Sequence, residues 1–135
     1  MTNQIEQIKD GKGNIIALIV RSSYQNTGTH FFTPHEFSQQ MAFISREKGE
    51  EIKAHSHKAI SQQITKTQET IFIRKGKVKI DLYDTEKKLV DSKILETGDV
   101  ILLAEGGHGF EALDSLEMIE IKQGPYVDDS FKEIY

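Results

Sequence analysis

The sequence predicts an all-β fold, a sandwich or barrel with little helix. The dominant hydrophobic period is two residues, which is typical of half-buried strands. Short strands of this kind recur at regular spacing, and turns that contain glycine separate them. We find no repeat, linker or low-complexity segment, so one domain is predicted to cover residues 1–135.

The clearest strand covers residues 77–83, where polar and apolar residues alternate almost perfectly. Residues 70–74 are apolar and β-branched, and Lys75-Gly76 between the two segments predicts a hairpin turn. Further strands are predicted at residues 15–20, 40–46, 89–95, 100–104 and 116–122. The main helical signal is one short turn after Thr33, which is placed to act as a cap.

Composition limits the possible function classes. The chain contains no cysteine, which excludes thiolate chemistry and zinc-cysteine sites and fits a reducing compartment. The net charge of −4 comes from 17 basic and 21 acidic residues without a dense basic stripe, so nucleic-acid binding is not expected. The longest apolar runs, residues 15–20 and 100–104, are too short to cross a bilayer, and no signal peptide is evident. A cytoplasmic location is therefore predicted.

Three histidines and a glutamate form the candidate site. His55 and His57 are two residues apart, so they share one face if residues 51–57 are extended. Glu69 alternates with the inward-facing isoleucines of the next strand, and His108 lies among glycines that predict a turn. Three imidazoles and a carboxylate suit a divalent transition metal: Mn, Fe, Co, Ni, Cu or Zn. The strand-borne pair should be the more rigid half of this site.

Alternatives to the metal site stay open. The same histidines can act as acid/base or hydrogen-bonding groups in a pocket without metal. Residues 58–68 are polar and predict either an extended hairpin or lip that contacts a ligand, or an ordinary solvated loop. As a lip, this segment offers Gln62, Lys66 and Gln68 as candidate contacts. The two other histidines, His30 and His35, have no such context and are interpreted as ordinary surface or turn residues.

The spacing of the candidate ligands resembles the first motif of the cupin superfamily. The chain has Gly49, five residues, His55-Ser56-His57, the spacer 58–68, Glu69, six residues and Gly76. The spacer is longer than in cupins. The second motif departs further, because Ala104 replaces a proline, His108 comes one residue early and Ala112 replaces an asparagine. The resemblance covers residues 49–112 and implies a jelly-roll barrel with the metal near its mouth.

Two further likenesses imply carbohydrate chemistry. Residues 106–111 and 121–126 look like those of short bacterial cupins linked to surface-polysaccharide synthesis. Residues 13–18 and 55–58 are similar to sugar-nucleotide ketoisomerases, which use the paired histidines for proton transfer rather than for metal. The resemblance implies a small carbohydrate ligand and isomerase or epimerase activity on a sugar or sugar nucleotide. The alternatives are a metal-dependent dioxygenase and a non-catalytic carbohydrate-binding cupin.

We predict a homodimer. A small sheet protein protects its open edges by pairing or covering them, and cupins commonly dimerise. If residues 51–57 form a strand, its outward face carries Ile52 and Ala54, which are apolar enough to pack against a partner. Multi-angle light scattering should give twice the chain mass, and a monomer mass at micromolar concentration would contradict the prediction.

Overall fold

Every regular element of the structure is a β-strand. The computed structural model describes residues 4–128 and 132–135. Within these residues no helix occurs, and so none that is long and apolar enough to span a membrane. The ten strands are β1 (Ile5–Lys9), β2 (Ile15–Val20), β3 (Gly28–Phe31), β4 (Ala42–Ser45), β5 (Glu69–Lys75), β6 (Lys77–Tyr83), β7 (Leu89–Glu96), β8 (Val100–Leu103), β9 (Gly107–Ala112) and β10 (Glu117–Lys122).

The strands form three antiparallel sheets. The largest has five strands in the order β1-β2-β8-β5-β10, and a second has three in the order β7-β6-β9. Strands β3 and β4 pair only with each other in the described part of the chain. The all-β prediction is confirmed. Among the described residues, however, none of the three sheets closes into a barrel.

The five-stranded and three-stranded sheets pack face to face on one aliphatic core. Alternation along β5 turns Ile71 and Ile73 inward, and alternation along β6 turns Val78, Ile80 and Leu82 towards them. The remaining fully packed members of this inner cluster are Ile8, Ile16, Ala17, Ile19, Leu95, Ile101 and Leu103. Removing this apolar surface from water is the main source of stability for such a fold.

The predicted hairpin between β5 and β6 is wrong. Gly76 separates the two strands, but β5 pairs with β8 and β10, whereas β6 pairs with β7 and β9. Gly76 has a φ of +103°, and a Cβ atom there would lie 2.0 Å from the carbonyl oxygen of Ser115. The glycine therefore makes a corner that carries the chain from one sheet to the other. Both edges of β5 are occupied, so β6 buries its apolar face only by packing across it.

Most strands occupy their predicted positions. The strands at residues 15–20 and 77–83 have the predicted bounds, and those at 40–46, 89–95, 100–104 and 116–122 shift by one or two residues at either end. The prediction missed β1 and β3, which are short and mostly polar, and β9, where it expected a glycine turn. The predicted strand at residues 51–57 is absent: residues 46–67 are exposed and have no regular structure.

The connection between β3 and β4 covers the outer face of the five-stranded sheet. Phe37 and Met41 pack there against the smaller buried cluster of Leu18, Leu102 and Ala104. The amide N–H of Phe37 donates to the carbonyl of Pro34 at 3.1 Å, which is the single turn predicted after Thr33. Around Leu18 and Leu102, both faces of the five-stranded sheet are therefore covered.

A buried carboxylate ties the β7–β8 turn to the end of β2. The Asp99 side chain is 6% exposed and accepts hydrogen bonds from the backbone N–H groups of Ser22 and Glu96, each at 2.8 Å. Arg21 Nη1 lies 3.2 Å from Asp99 Oδ2 and also donates to the carbonyl of Ile94 at 2.7 Å. The buried charge is therefore fully partnered, which is the condition for tolerating it.

Glu6 extends this network and makes stability depend on pH. Burial alone raises the pKa of Glu6, but hydrogen bonds from Arg21 and Lys93 outweigh it and leave the pKa lowered. A carboxyl with a lowered pKa stabilises the native state at pH values above its ordinary pKa of 4.5. That stability is lost as the pH falls through the lowered pKa.

We expect Glu6→Gln to reduce the free energy of unfolding at neutral pH by about 1 kcal/mol and to flatten its decline in acid. Urea denaturation at a series of pH values measures both effects. Glu50→Gln, on an exposed side chain, is the matched control and should change neither. Equal acid sensitivity in the Glu6 variant and the wild type would contradict the assignment.

Candidate functional site

Glu69 and His108 face each other across the two sheets. Glu69 opens β5 and shares the inner face with Ile71, as its alternation predicts. His108 comes from β9 of the other sheet, and its Nε2 lies 3.4 Å from Glu69 Oε2. The side chains are 30% exposed for His108 and 15% for Glu69. The pair therefore lies at a rim of the core that solvent reaches.

His108 stands on a strand, not in the predicted glycine turn. It is directly opposite the buried Leu82 in the β6–β9 register. Only Gly106 makes a turn: its φ is +78°, and a Cβ atom there would lie 2.1 Å from the carbonyl oxygen of Tyr83. The glycines at 107 and 109 are extended members of β9, where pairing with β6 decides the conformation. His108 is thus held by a regular antiparallel ladder.

Phe110 forms an apolar wall beside the imidazole. It lies two residues after His108 on the same face of β9, as predicted, with the ring centroids 5.3 Å apart. Its side chain stays 40% exposed, opposite Ile80 in the register. A partly exposed aromatic ring next to an acid–imidazole pair is a surface on which the apolar side of a small ligand can rest.

The contact with His108 lowers the pKa of Glu69. This is the largest influence; burial opposes it, and Lys122 and a hydrogen bond with Glu120 lower the pKa further. Lys122 is directly opposite Glu69 in the β5–β10 register, and Glu120 is opposite Ile71. The carboxyl of Glu69 is therefore ionised at neutral pH, with His108 and Lys122 as the neighbours that favour the ionised form.

Glu120 and Lys122 belong to the site but were missed in the sequence analysis. Their strand alternates charged and apolar residues, which alone predicts that the charged side faces solvent. The charged side does stay exposed, but the register with β5 also places it on the sheet face that carries Glu69. The alternation of charged and apolar residues in this strand was the available signal. It identifies Glu120 and Lys122 only when Glu69 is also required to have charged neighbours.

His55 and His57 form a separate pair. Their rings are 5.3 Å apart in the exposed segment of irregular structure, and His55 Nδ1 contacts the carbonyl of Lys53 at 2.7 Å. Within residues 4–128 and 132–135, no group of three or more histidines and carboxylates could hold a metal ion. The structure thus brings the four predicted ligands together as two pairs, and the complete ligand set stays a prediction.

The spacer contributes two anchored side chains. Lys66 Nζ lies 2.6 Å from Glu105 Oε1, and Gln68 is buried with 5% of its surface exposed. Gln62 is exposed in the segment that precedes them. The spacer does not form the extended hairpin that one interpretation of its polar sequence predicted, because its residues pair with no strand.

The remaining histidines lie apart from these pairs. A ring nitrogen of His30 is 2.5 Å from the carbonyl of Thr27, which is a local turn contact. His35 is exposed in the turn after Thr33. These positions fit their interpretation as ordinary surface or turn residues.

No family model, curated protein or solved structure matches this chain. The similarity to cupins therefore rests on the spacing of its own glycines, histidines and glutamate. Membership of that superfamily, the metal and the carbohydrate ligand stay predictions.

We expect His108→Ala to raise the pKa of Glu69 towards its ordinary value of 4.5, because the largest lowering influence is removed. Carbon-detected NMR titration of the Glu69 carboxyl measures this directly. Since a lowered carboxyl pKa makes stability fall in acid, the variant should also lose less stability as the pH drops below 4.5. His35→Ala serves as the control, and an unchanged titration of Glu69 in His108→Ala would refute the coupling.

Proposed function

We propose that the chain is a metal-binding cupin with a jelly-roll arrangement that acts on a sugar or sugar nucleotide as an isomerase or epimerase in surface-polysaccharide synthesis. His55, His57, Glu69 and His108 are the proposed ligands of one divalent transition metal. The observation that carries the proposal is the contact of Glu69 with His108 between two sheets that are otherwise joined by an aliphatic core.

The spacing of these two donor atoms fits a shared ion. Metal–ligand bonds of about 2.0–2.2 Å place two oxygen or nitrogen ligands of a tetrahedral ion roughly 3.4 Å apart. Glu69 Oε2 and His108 Nε2 are separated by 3.4 Å. An ionised carboxylate and an imidazole are also the donor types that transition metals prefer. Two of the four proposed ligands therefore already have suitable geometry.

The free edge of β9 offers a place for the other two. In the described part of the chain β9 pairs only with β6, so the backbone groups on its second edge have no strand partner. The exposed segment at residues 46–67 contains His55 and His57 at the two-residue spacing of one strand face. If this segment adds to β9 in the right register, both histidines join the face that carries His108, on a neighbouring strand about 4.8 Å from β9.

The residues of the site suit proton transfer beside a carbonyl group. A bound divalent metal supplies a Lewis acid that polarises a carbonyl oxygen. Glu69 is ionised at neutral pH and can hold a cation or accept a proton. The imidazole of His108 would hold the metal beside that carboxylate, or take or give a proton there when no metal is bound, and Phe110 presents an apolar surface to a sugar ring.

Two alternative functions keep the same metal site. A metal-dependent dioxygenase requires a redox-active metal with open coordination positions. A carbohydrate-binding cupin requires neither redox chemistry nor proton transfer. Oxygen consumption by the iron-loaded protein distinguishes the first alternative, and turnover of sugar nucleotides in deuterated water, read as deuterium uptake, distinguishes the second.

We expect the purified, untagged chain to bind about one Co²⁺ ion and to give the visible absorption of a four- or five-coordinate site. Glu69→Gln and His57→Ala should each weaken binding at least about tenfold, as expected for loss of a ligand. His35→Ala changes an exposed histidine outside the proposed set and controls for adventitious binding. Wild-type protein that stays metal-free throughout the titration would end the metal proposal.

The expected order of importance among the ligands changes with the structure. The sequence placed the rigid half of the site at His57, on an expected strand, and the less rigid half at His108. Instead His108 is on strand β9 and His57 is in a segment without regular structure. A ligand on a paired strand is the better positioned one, so His108→Ala should weaken Co²⁺ binding more than His57→Ala.

A further inference from the structure

A cavity of about 340 Å³ lies on the outer side of the five-stranded sheet. It shares Ile15, Phe37 and Ala104 with the small cluster that covers that side, whereas Glu69 points to the inner core. The other lining residues are Gly13, Asn14, Pro34, Glu36, Lys66, Gln68 and Glu105. This cavity is therefore separate from the proposed metal site.

Gln68 presents a fixed hydrogen-bond donor to this cavity. The backbone N–H of Gln39 donates to Gln68 Oε1 at 3.0 Å, and Ser38 Oγ lies 3.2 Å from the same oxygen. Because a backbone N–H can only donate, this contact fixes which end of the amide is the oxygen. The Gln68 Nε2 group makes no hydrogen bond with any described residue.

The free amide group of Gln68 stays accessible on a residue that lines the cavity. Among the described residues that are not exposed, no fully buried side-chain nitrogen or oxygen lacks a partner. The Nε2 atom therefore belongs to the 5% of Gln68 that stays accessible, and Gln68 lines the cavity. A donor that is held on a buried, immobilised side chain loses little entropy when a ligand accepts its hydrogen bond.

The other walls combine apolar surface with hydrogen-bond acceptors. Pro34 and Phe37 supply apolar surface, and Glu36 and Glu105 supply carboxylates. Lys66 pairs with Glu105 at 2.6 Å, so two negative charges stand against one positive charge. This balance disfavours a phosphate or carboxylate ligand, because the net charge of the lining is negative.

We propose that this cavity binds a neutral sugar ring. The hydroxyl groups of a sugar donate to carboxylates and accept from an amide, and its C–H faces pack on apolar and aromatic side chains. The cavity offers all three kinds of contact, with Gln68 as the donor. The ligand is a neutral glycoside, not a sugar phosphate, and its binding does not depend on a metal.

The test is an NMR titration of the full chain labelled in its methyl groups. The probes are the methyl glycosides of glucose, galactose and mannose, with glucose 6-phosphate as the anionic counterpart. At least one glycoside should shift the methyl signals of Ile15 and Ala104, which line the cavity, and leave those of Ile71 and Leu82 in the inner core unchanged. The sugar phosphate should bind several-fold more weakly. Shifts confined to the inner core, or no shift with any of the three glycosides, would overturn the proposal.

Gln68→Glu is the decisive variant. It keeps the oxygen that accepts from Gln39 and replaces the donor by a second oxygen of nearly the same shape. Glycoside affinity should fall about tenfold while circular dichroism stays unchanged. Gln25→Glu adds the same charge at an exposed position outside the cavity and should bind as the wild type does. If the Gln68 variant keeps wild-type affinity, or if the two variants lose affinity equally, Gln68 is not the donor and the proposal fails.

Discussion

The packing of two alternating strand faces against each other is the constraint on which the rest of this structure depends. Because the inner sides of β5 and β6 are both aliphatic, they are stable only when they bury each other, and the corner at Gly76 makes this possible. The same alternation that buries Ile71 and Leu82 brings Glu69 and His108 to the inner faces. The candidate site therefore lies where the inward faces of these strands change from apolar to polar residues.

The two ends of β5 differ in how their charges are satisfied. Near Ile73, the carboxylate of Asp99 is saturated by two backbone N–H groups and Arg21 and is almost completely buried. At the opposite end, Glu69 has partners but stays open to solvent beside His108. A saturated, buried network is suited to holding turns in place, whereas a partly exposed pair with a perturbed pKa retains the capacity to bind an ion or exchange a proton.

The open edges of the sheets are consistent with the proposed function and with the expected dimer. Strands β9 and β10 are edge strands within the described chain, and apolar side chains next to these edges stay 40–57% exposed at Phe110, Ile119 and Ile121. Exposed apolar edges favour pairing with another strand. Both the segment at residues 46–67 and a second copy of the chain can supply one, and either would bury surface that is now in contact with water.

The strand pattern was predictable from the sequence because it is a local property. Period-two alternation determined most strands, the inward direction of Glu69 and the shared face of His108 and Phe110, since neighbouring side chains on a strand always point to opposite sides. Weakly patterned edge strands such as β1 escaped prediction, because backbone pairing holds them in place and only Ile8 is buried.

Pairing between strands was decided only by the tertiary structure. Local sequence cannot tell whether Lys75-Gly76 closes a hairpin or turns a corner, because the answer depends on β8 and β10 having occupied both edges of β5. It also cannot place the charged side of β10 at Glu69, since a shift of one residue in register would reverse every side chain. Periodicity therefore determined which residues share a face, and long-range packing determined which faces meet.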